Sequence, residues 1–230
     1  MIMRIRYATI SQCGRRSNNE DAFRVVDKSS KEQWMGIVCD GLGGHPMGEV
    51  ASETIVESIC NYYEKHNQHE NEIIMIEKAC KEAIKQLNSK ADTLNHVNMG
   101  TTLVMALIVG NKVTIAHIGD SRCYLVRKDG EISYQTKDHT KLSFGWEVIS
   151  KCFVAYNEEI AVPEINQFDI EPGDRILICS DGLYKSIAPN ILTARMTDDK
   201  SPEEILDTFA FLCEKNGDDN YTGILAIIEQ

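Results

Sequence analysis

Beyond residue 100 the chain is a succession of short apolar runs, 101–109, 112–118 and 122–128, broken by Gly110-Asn111 and Gly119-Asp120. Their β-rich composition and brief length mark them as strands. Gly110-Asn111 reads as a hairpin turn, and Asp129-Gly130 as a second that leads into 131–136. Two strand-like runs near the start, 22–27 and 34–39, follow an alternating stretch at 3–10.

Helical periodicity appears where these runs stop. Val50, Ala51, Thr54, Ile55, Ile59 and Tyr62 share one helix face. A polar stretch, 61–71, reads as a loop. A long amphipathic helix over 72–94 then carries Ile73, Ile76, Cys80, Ala83, Ile84 and Leu87 on its apolar side. Later, Ser201-Pro202-Glu203-Glu204 opens a helix over 202–215, with Ser201 as N-cap and Pro202 at the first helical position. Strands are expected at 175–180 and 222–229, while 141–160 carries no clear period. The sum is an α+β chain, an antiparallel β core covered by helices, and 230 residues suffice for one well-buried domain or at a stretch two small ones.

The net charge of −11 disfavours a nucleic-acid partner, because the densest basic spot, Arg15-Arg16, lies beside Glu20 and Asp21. The eight cysteines include no C-x-x-C pair, which argues against a zinc knuckle. Several sit in apolar runs, where a thiol packs as a small hydrophobe. The N-terminus lacks a long apolar signal region, and the longest apolar run, Leu103 to Val109, is too short to span a bilayer. A cytoplasmic protein with reduced thiols and no membrane contact is expected.

Acidic residues recur at the ends of the strands. Asp40 follows Trp34–Cys39 and precedes Gly41; Asp181 follows Arg175–Ser180 and precedes Gly182. Asp219 precedes the last strand, Glu20-Asp21 precedes another, and Asp120 and Asp138 each follow one. A layered sheet brings strand ends together, and converging carboxylates raise one another's pKa unless a cation intervenes. Hard divalent ions with oxygen ligands, Mg²⁺ or Mn²⁺, would resolve the repulsion. For any one Asp-Gly the plain turn is the competing explanation. Asp120 reads as a turn-fixing residue, Ser121 and Ser180 as structural, and His45 and His139 as structural or exposed.

These residues resemble a known family. Gly14-Arg15-Arg16-Ser17-Asn18-Asn19-Glu20-Asp21-Ala22 is similar to the opening motif of the type 2C metal-dependent protein phosphatases, the PPM family. Asp40-Gly41-Leu42-Gly43-Gly44-His45, with Gly48-Glu49-Val50-Ala51-Ser52, resembles its second motif in bacterial form. Gly100-Thr101-Thr102-Leu103, His117-Ile118-Gly119-Asp120-Ser121-Arg122 and Thr136-Lys137-Asp138-His139-Thr140 resemble the next three. Pro172-Gly173-Asp174-Arg175 through Ser180-Asp181-Gly182-Leu183, and Asp219-Asn220-Tyr221-Thr222, complete the set. The motifs run in family order from about residue 9 to residue 228.

The resemblance implies a four-layer αββα sandwich and a protein serine/threonine phosphatase holding two Mg²⁺ or Mn²⁺ ions, with a third in some members. Asp40 would bridge the two metals, and the Gly41 carbonyl would ligate one. Asp181 and Asp219 would hold the other. Glu20 and Asp21 would act on metal-bound waters, Arg16 would grip the substrate phosphate, and Asp138 would support the third ion together with Asp181. A metal-bridging water would attack phosphorus directly, with no phosphoenzyme.

Two departures from the family pattern stand out. Leu42 occupies a position where some eukaryotic relatives have a histidine proposed as general acid, which leaves a metal-bound water, or His45, for that role. The segment Lys141 to Ile170 is short for the flap subdomain usual there, and a trimmed flap would leave the site open. The implied partner is a phosphorylated protein, with a serine/threonine kinase as the opposing enzyme; monomer is the default state. The alternative is a pseudophosphatase, a binding module that recognises a phosphoprotein or a kinase.

Overall fold

The computed structural model describes residues 3–66 and 71–229. Two antiparallel five-stranded sheets form the centre. The first has the order β1 (Arg4–Gln12), β14 (Tyr221–Glu229), β13 (Arg175–Cys179), β7 (Arg122–Val126), β8 (Ile132–Gln135). The second has the order β12 (Glu164–Asp169), β6 (Lys112–Ile118), β5 (Leu103–Val109), β3 (Gln33–Asp40), β2 (Asp21–Lys28). Two small ladders pair β4 (Gly100–Thr101) with β11 (Phe153–Val154), and β9 (Thr140–Ser143) with β10 (Trp146–Ile149). The helices are α1 (Gly48–His66), α2 (Glu72–Thr93), α3 (Asp181–Lys185), α4 (Pro189–Met196) and α5 (Pro202–Asn216).

Alternation along the strands assigns each side chain to a layer. Trp34 and Val38 of β3 share a buried cluster with Ile176 and Ile178 of β13 and Ile224 and Ala226 of β14, which is the interior between the sheets. Their neighbours Met35, Ile37 and Cys39 point the other way, into a cluster with Ala51, Ile55 and Ile59 of α1 and Ile76, Ala83 and Leu87 of α2. On the opposite side Leu177 and Cys179 pack with Leu183, Leu206 and Phe209. Helices therefore cover the outer face of each sheet, giving the four-layer αββα sandwich. Because the central strands are buried on both faces, they read as continuous apolar runs rather than as alternating ones.

The hairpin turns lie where Gly110 and Gly130 were expected to make them, with φ of 58° and 93°. Ser201 caps α5 in a reciprocal box with Glu204, as the local sequence demands. The eight cysteines are all unpaired, and all but Cys13 are buried. Among the described residues no helix is long and apolar enough to cross a membrane.

Several expectations need correction. The polar stretch at 61–71 is not a loop throughout, for α1 continues to His66; residues 67–70 lie outside the described ones. Tyr62 packs half-buried against the cluster beneath α1 and α2 as expected, and Tyr63, at 2% exposure, joins it as the fully buried tyrosine. The short helices α3 and α4 and the edge strand β12 had no counterpart in the sequence reading. Within Lys141 to Ile170, β12 joins the second sheet through β6. What protrudes is the β9–β10 hairpin, with Leu142, Phe144 and Trp146 exposed.

Candidate active site

The ends of both sheets deliver acids to one cleft of about 330 Å³. Asp21 is the first residue of β2 and Asp40 the last of β3, and the two are paired across the ladder. Asp181 begins α3 directly after β13, and Asp219 sits just before β14. Glu20, Asp40, Asp120, Asp181 and Asp219 line the cleft together with Arg16, Gly41 and Leu42. Asp21 lies beneath them, 9% exposed.

Backbone hydrogen bonds fix the acids in place. Asp40 N–H donates to Thr102 Oγ1 (3.0 Å), while its carbonyl accepts from Thr102 N–H (2.9 Å) and Thr101 Oγ1 (2.8 Å). Only the carboxylate of Asp40 is left to face the cleft. Gly41 N–H donates to the Glu20 carbonyl (3.1 Å), locking the first two motifs together. A Cβ on Gly41 would fall 2.6 Å from the Gly48 carbonyl carbon, and one on Gly48 2.6 Å from Glu20 Oε2. Backbone approach therefore requires glycine at 41, while at 48 a side chain would push the Glu20 carboxylate aside.

Asn220 staples the two chain segments that carry Glu20 and Asp219. Its Oδ1 accepts from Glu20 N–H (2.9 Å), and its Nδ2 donates to the carbonyls of Asn18 (2.8 Å) and Cys13 (2.9 Å). Ser180 Oγ donates to Asp21 Oδ2 (2.7 Å) and accepts from Thr222 N–H (2.9 Å). Thr102 and Ser121 share a buried hydroxyl contact at 2.7 Å, so neither serine is placed as a nucleophile.

Crowded carboxylates change one another's chemistry. Burial, then Asp21, Asp181 and Asp120, push the Asp40 carboxyl well above its ordinary range, and Asp181 shares a hydrogen bond with it. Burial raises Asp21 to about 6 against the hydrogen bonds from Ser180 and Thr222. Asp120 is also raised to about 6, first by burial and then by Asp181. Glu20 is raised by burial and by Glu49. Asp21 Oδ1 is buried with no hydrogen-bond partner among the described residues. An all-oxygen donor set with this much mutual repulsion fits hard divalent cations.

Asp138 is placed differently from its expected metal-supporting role. Arg122 holds both of its oxygens at 2.8 Å, and that guanidinium lies 3.8 Å over the Tyr184 ring. Asp138 does not line the cleft; Asp120, read from sequence as a turn residue, does. The signal for Asp120 was its place directly after a strand, which it shared with Asp138. Arg16 lines the cleft mouth but pairs with Asp219 Oδ2 (3.0 Å) and the Asp218 carbonyl (3.2 Å), not with Glu20. His45 Nδ1 is 3.0 Å from the Asn98 carbonyl oxygen. His139 stacks on His117 with ring centres 4.5 Å apart and accepts from Gly119 N–H at 3.2 Å, which braces the turn carrying Asp120.

Comparisons with known proteins agree with this geometry. The sequence profile described as protein phosphatase 2C matches residues 11–222. The serine/threonine protein phosphatase PstP of Mycobacterium tuberculosis is 27% identical over 240 residues; the match covers 96% of this chain and 45% of PstP, so the chain spans under half of that relative. The serine/threonine phosphatase stp of Listeria innocua is 28% identical, with 91% of this chain and 90% of stp covered. The catalytic domain of PstP, solved in complex with two manganese ions, superposes with a TM-score of 0.82 at 27% identity, covering 99% of this chain and all of that one.

Proposed function

The chain belongs to the protein phosphatase 2C family, and on that premise we propose that it is a metal-dependent protein phosphatase that hydrolyses phosphoserine and phosphothreonine monoesters. The observation that carries this reading is the convergence of Glu20, Asp40, Asp181 and Asp219 in one cleft whose mouth holds Arg16. No pseudophosphatase reading is needed, since each of these acids is in position.

Two divalent ions, Mg²⁺ or Mn²⁺, would be held by Asp40, the Gly41 carbonyl, Asp181 and Asp219, with Glu20 and Asp21 reaching them through water. Bound there, such ions supply Lewis-acid activation of water and charge neutralisation at phosphorus. Asp40 faces the cleft from a strand end whose backbone Thr101 and Thr102 tie down, which fixes where its carboxylate would meet a cation. The buried Ser180–Asp21 contact keeps Asp21 oriented beneath it. Arg16, at the cleft mouth beside Asp219, would grip a substrate phosphoryl group, to which its planar fork is suited. Leu42 offers no proton to the leaving group, so that role would fall to an ion-bound water, with His45 as the alternative.

The proposed setting is the cytoplasm, with a single phosphatase domain over residues 1–230, acting as a monomer on phosphorylated proteins in opposition to a serine/threonine kinase. The direct test is phosphate release from a phosphothreonine peptide with Mn²⁺ or Mg²⁺. Release that EDTA abolishes is expected. Folded protein that releases none with either metal would return the reading to a phosphoprotein-binding module.

A further inference from the structure

Among the described residues, the acids of the cleft have two basic partners: Arg16 on Asp219, and Lys185 on Asp181 and Asp120. Lys185 closes the five-residue helix α3 that Asp181 opens. The i,i+4 spacing sets its ammonium over that carboxylate. Nζ lies 2.6 Å from Asp181 Oδ2 and 3.6 Å from Asp120 Oδ2. One ammonium thus joins two acids that follow strands of different sheets, β13 and β6.

The family resemblance implies a third, weaker ion beside Asp181. In this chain Asp138 is held away by the bidentate contact with Arg122, and the acid that does stand beside Asp181 is Asp120. Oxygen ligands sit roughly 2.1 Å from Mg²⁺. An ion shared by Asp120 Oδ2 and Asp181 Oδ2 would therefore need the volume in which Nζ stands. An ammonium and a dication that close also repel.

We propose that Lys185 is a tethered cation that fills the place of a third metal ion, so that the ammonium between Asp120 and Asp181 limits this site to two divalent ions. The inference rests on the two-metal reading above. Unlike a free ion, the ammonium is tethered beside both acids at every metal concentration, although its side chain is 57% exposed. It neutralises part of the charge of Asp120 and Asp181 without closing the cleft. Lys185 acts here as a positioning residue, setting how many ions the carboxylates accept.

The test counts bound Mn²⁺ per chain, from the electron paramagnetic resonance signal of the free ion at equilibrium with full-length protein. Wild type is expected to saturate at two ions, Lys185→Arg at two, and Lys185→Gln at three, the added ion being the weakest. Lys185→Gln saturating at two, or wild type at three, overturns the proposal. Should Lys185→Gln not fold, Asp120→Asn decides: two ions retained supports an Asp120 that holds ammonium, whereas one ion lost shows Asp120 ligating metal and sinks the inference. Fewer than two ions on wild type would instead refute the two-metal reading itself, a separate result.

Discussion

Asp21 and Asp40 are directly opposed across the β2–β3 ladder, two acids at the one end of the sheet that opens on the cleft. Like charges so placed destabilise a strand pair, and the sequence retains both where a cation can sit between layers. Burial raises Asp21 and Asp120 from 3.8 to about 6. A raised carboxyl stabilises the fold fully below its unfolded value and loses that contribution as pH climbs through its folded value. The metal-free protein thus loses this stabilisation between about pH 4 and pH 6, the window of those two shifts. Cation binding should offset the loss. The rise in Tm on adding Mn²⁺ is expected to be larger at pH 7.5 than at pH 5, by on the order of 5–10 °C. A rise that is equal at both pH values, measured by differential scanning fluorimetry, counts against the cluster as the metal site.

Substitution of Asp40 should separate stability from activity. Its carboxyl is strained by burial and by Asp21, Asp181 and Asp120, so Asp40→Asn removes repulsion in the metal-free state. Asp40→Asn without metal should melt no lower than wild type at pH 7.5, while kcat with Mn²⁺ drops by roughly 10³-fold or more. Asp181→Asn should lose activity to a similar degree. Near-wild-type turnover in either variant would remove that residue from the centre.

The β-core and the acids were legible because each signal is local. Asp40 and Asp181 each terminate an apolar run before a glycine, and Ser201-Pro202 announces α5 within four residues. What stayed hidden depends on tertiary placement. Asp120 and Asp138 both follow strands, and nothing in the sequence shows that Arg122, sixteen residues before Asp138, will take both oxygens of the second. α3 is five residues long, shorter than the period needed to recognise a helix. Among the described residues β12 is an edge strand paired with β6 alone, so its Glu-Ile-Asn-Gln-Phe-Asp sequence lacks the apolar continuity of the central strands.

Gly48 is the first residue of α1, a position at which alanine favours a helix over glycine. What opposes it here is the Glu20 side chain. A Cβ there would stand 2.6 Å from Glu20 Oε2 and 3.3 Å from Gly41 Cα, displacing the carboxylate whose role is to reach a bound ion through water. Gly48→Ala is expected to keep the circular dichroism spectrum of wild type and to lower kcat by about 10²-fold, the scale of an ångström-level misplacement. Unchanged kcat would show that Glu20 is not held to its present position.

Arg16 pairs with Asp219 at 3.0 Å, but the two side chains are 55% and 38% exposed. An ion pair so open to water contributes about 0–1 kcal/mol, so Arg16→Ala should leave the melting temperature nearly untouched. Its effect should appear in phosphate recognition: kcat/KM on a phosphothreonine peptide down by about 10- to 100-fold, mostly through KM, together with weaker inhibition by inorganic phosphate. Arg16→Lys should recover little, because a point ammonium cannot reproduce the planar fork that grips two phosphoryl oxygens. If KM and phosphate inhibition both stay at wild-type values in Arg16→Ala, the guanidinium serves only to brace the Asp218-Asp219 turn, and substrate phosphate is held by the carboxylate-bound cations alone.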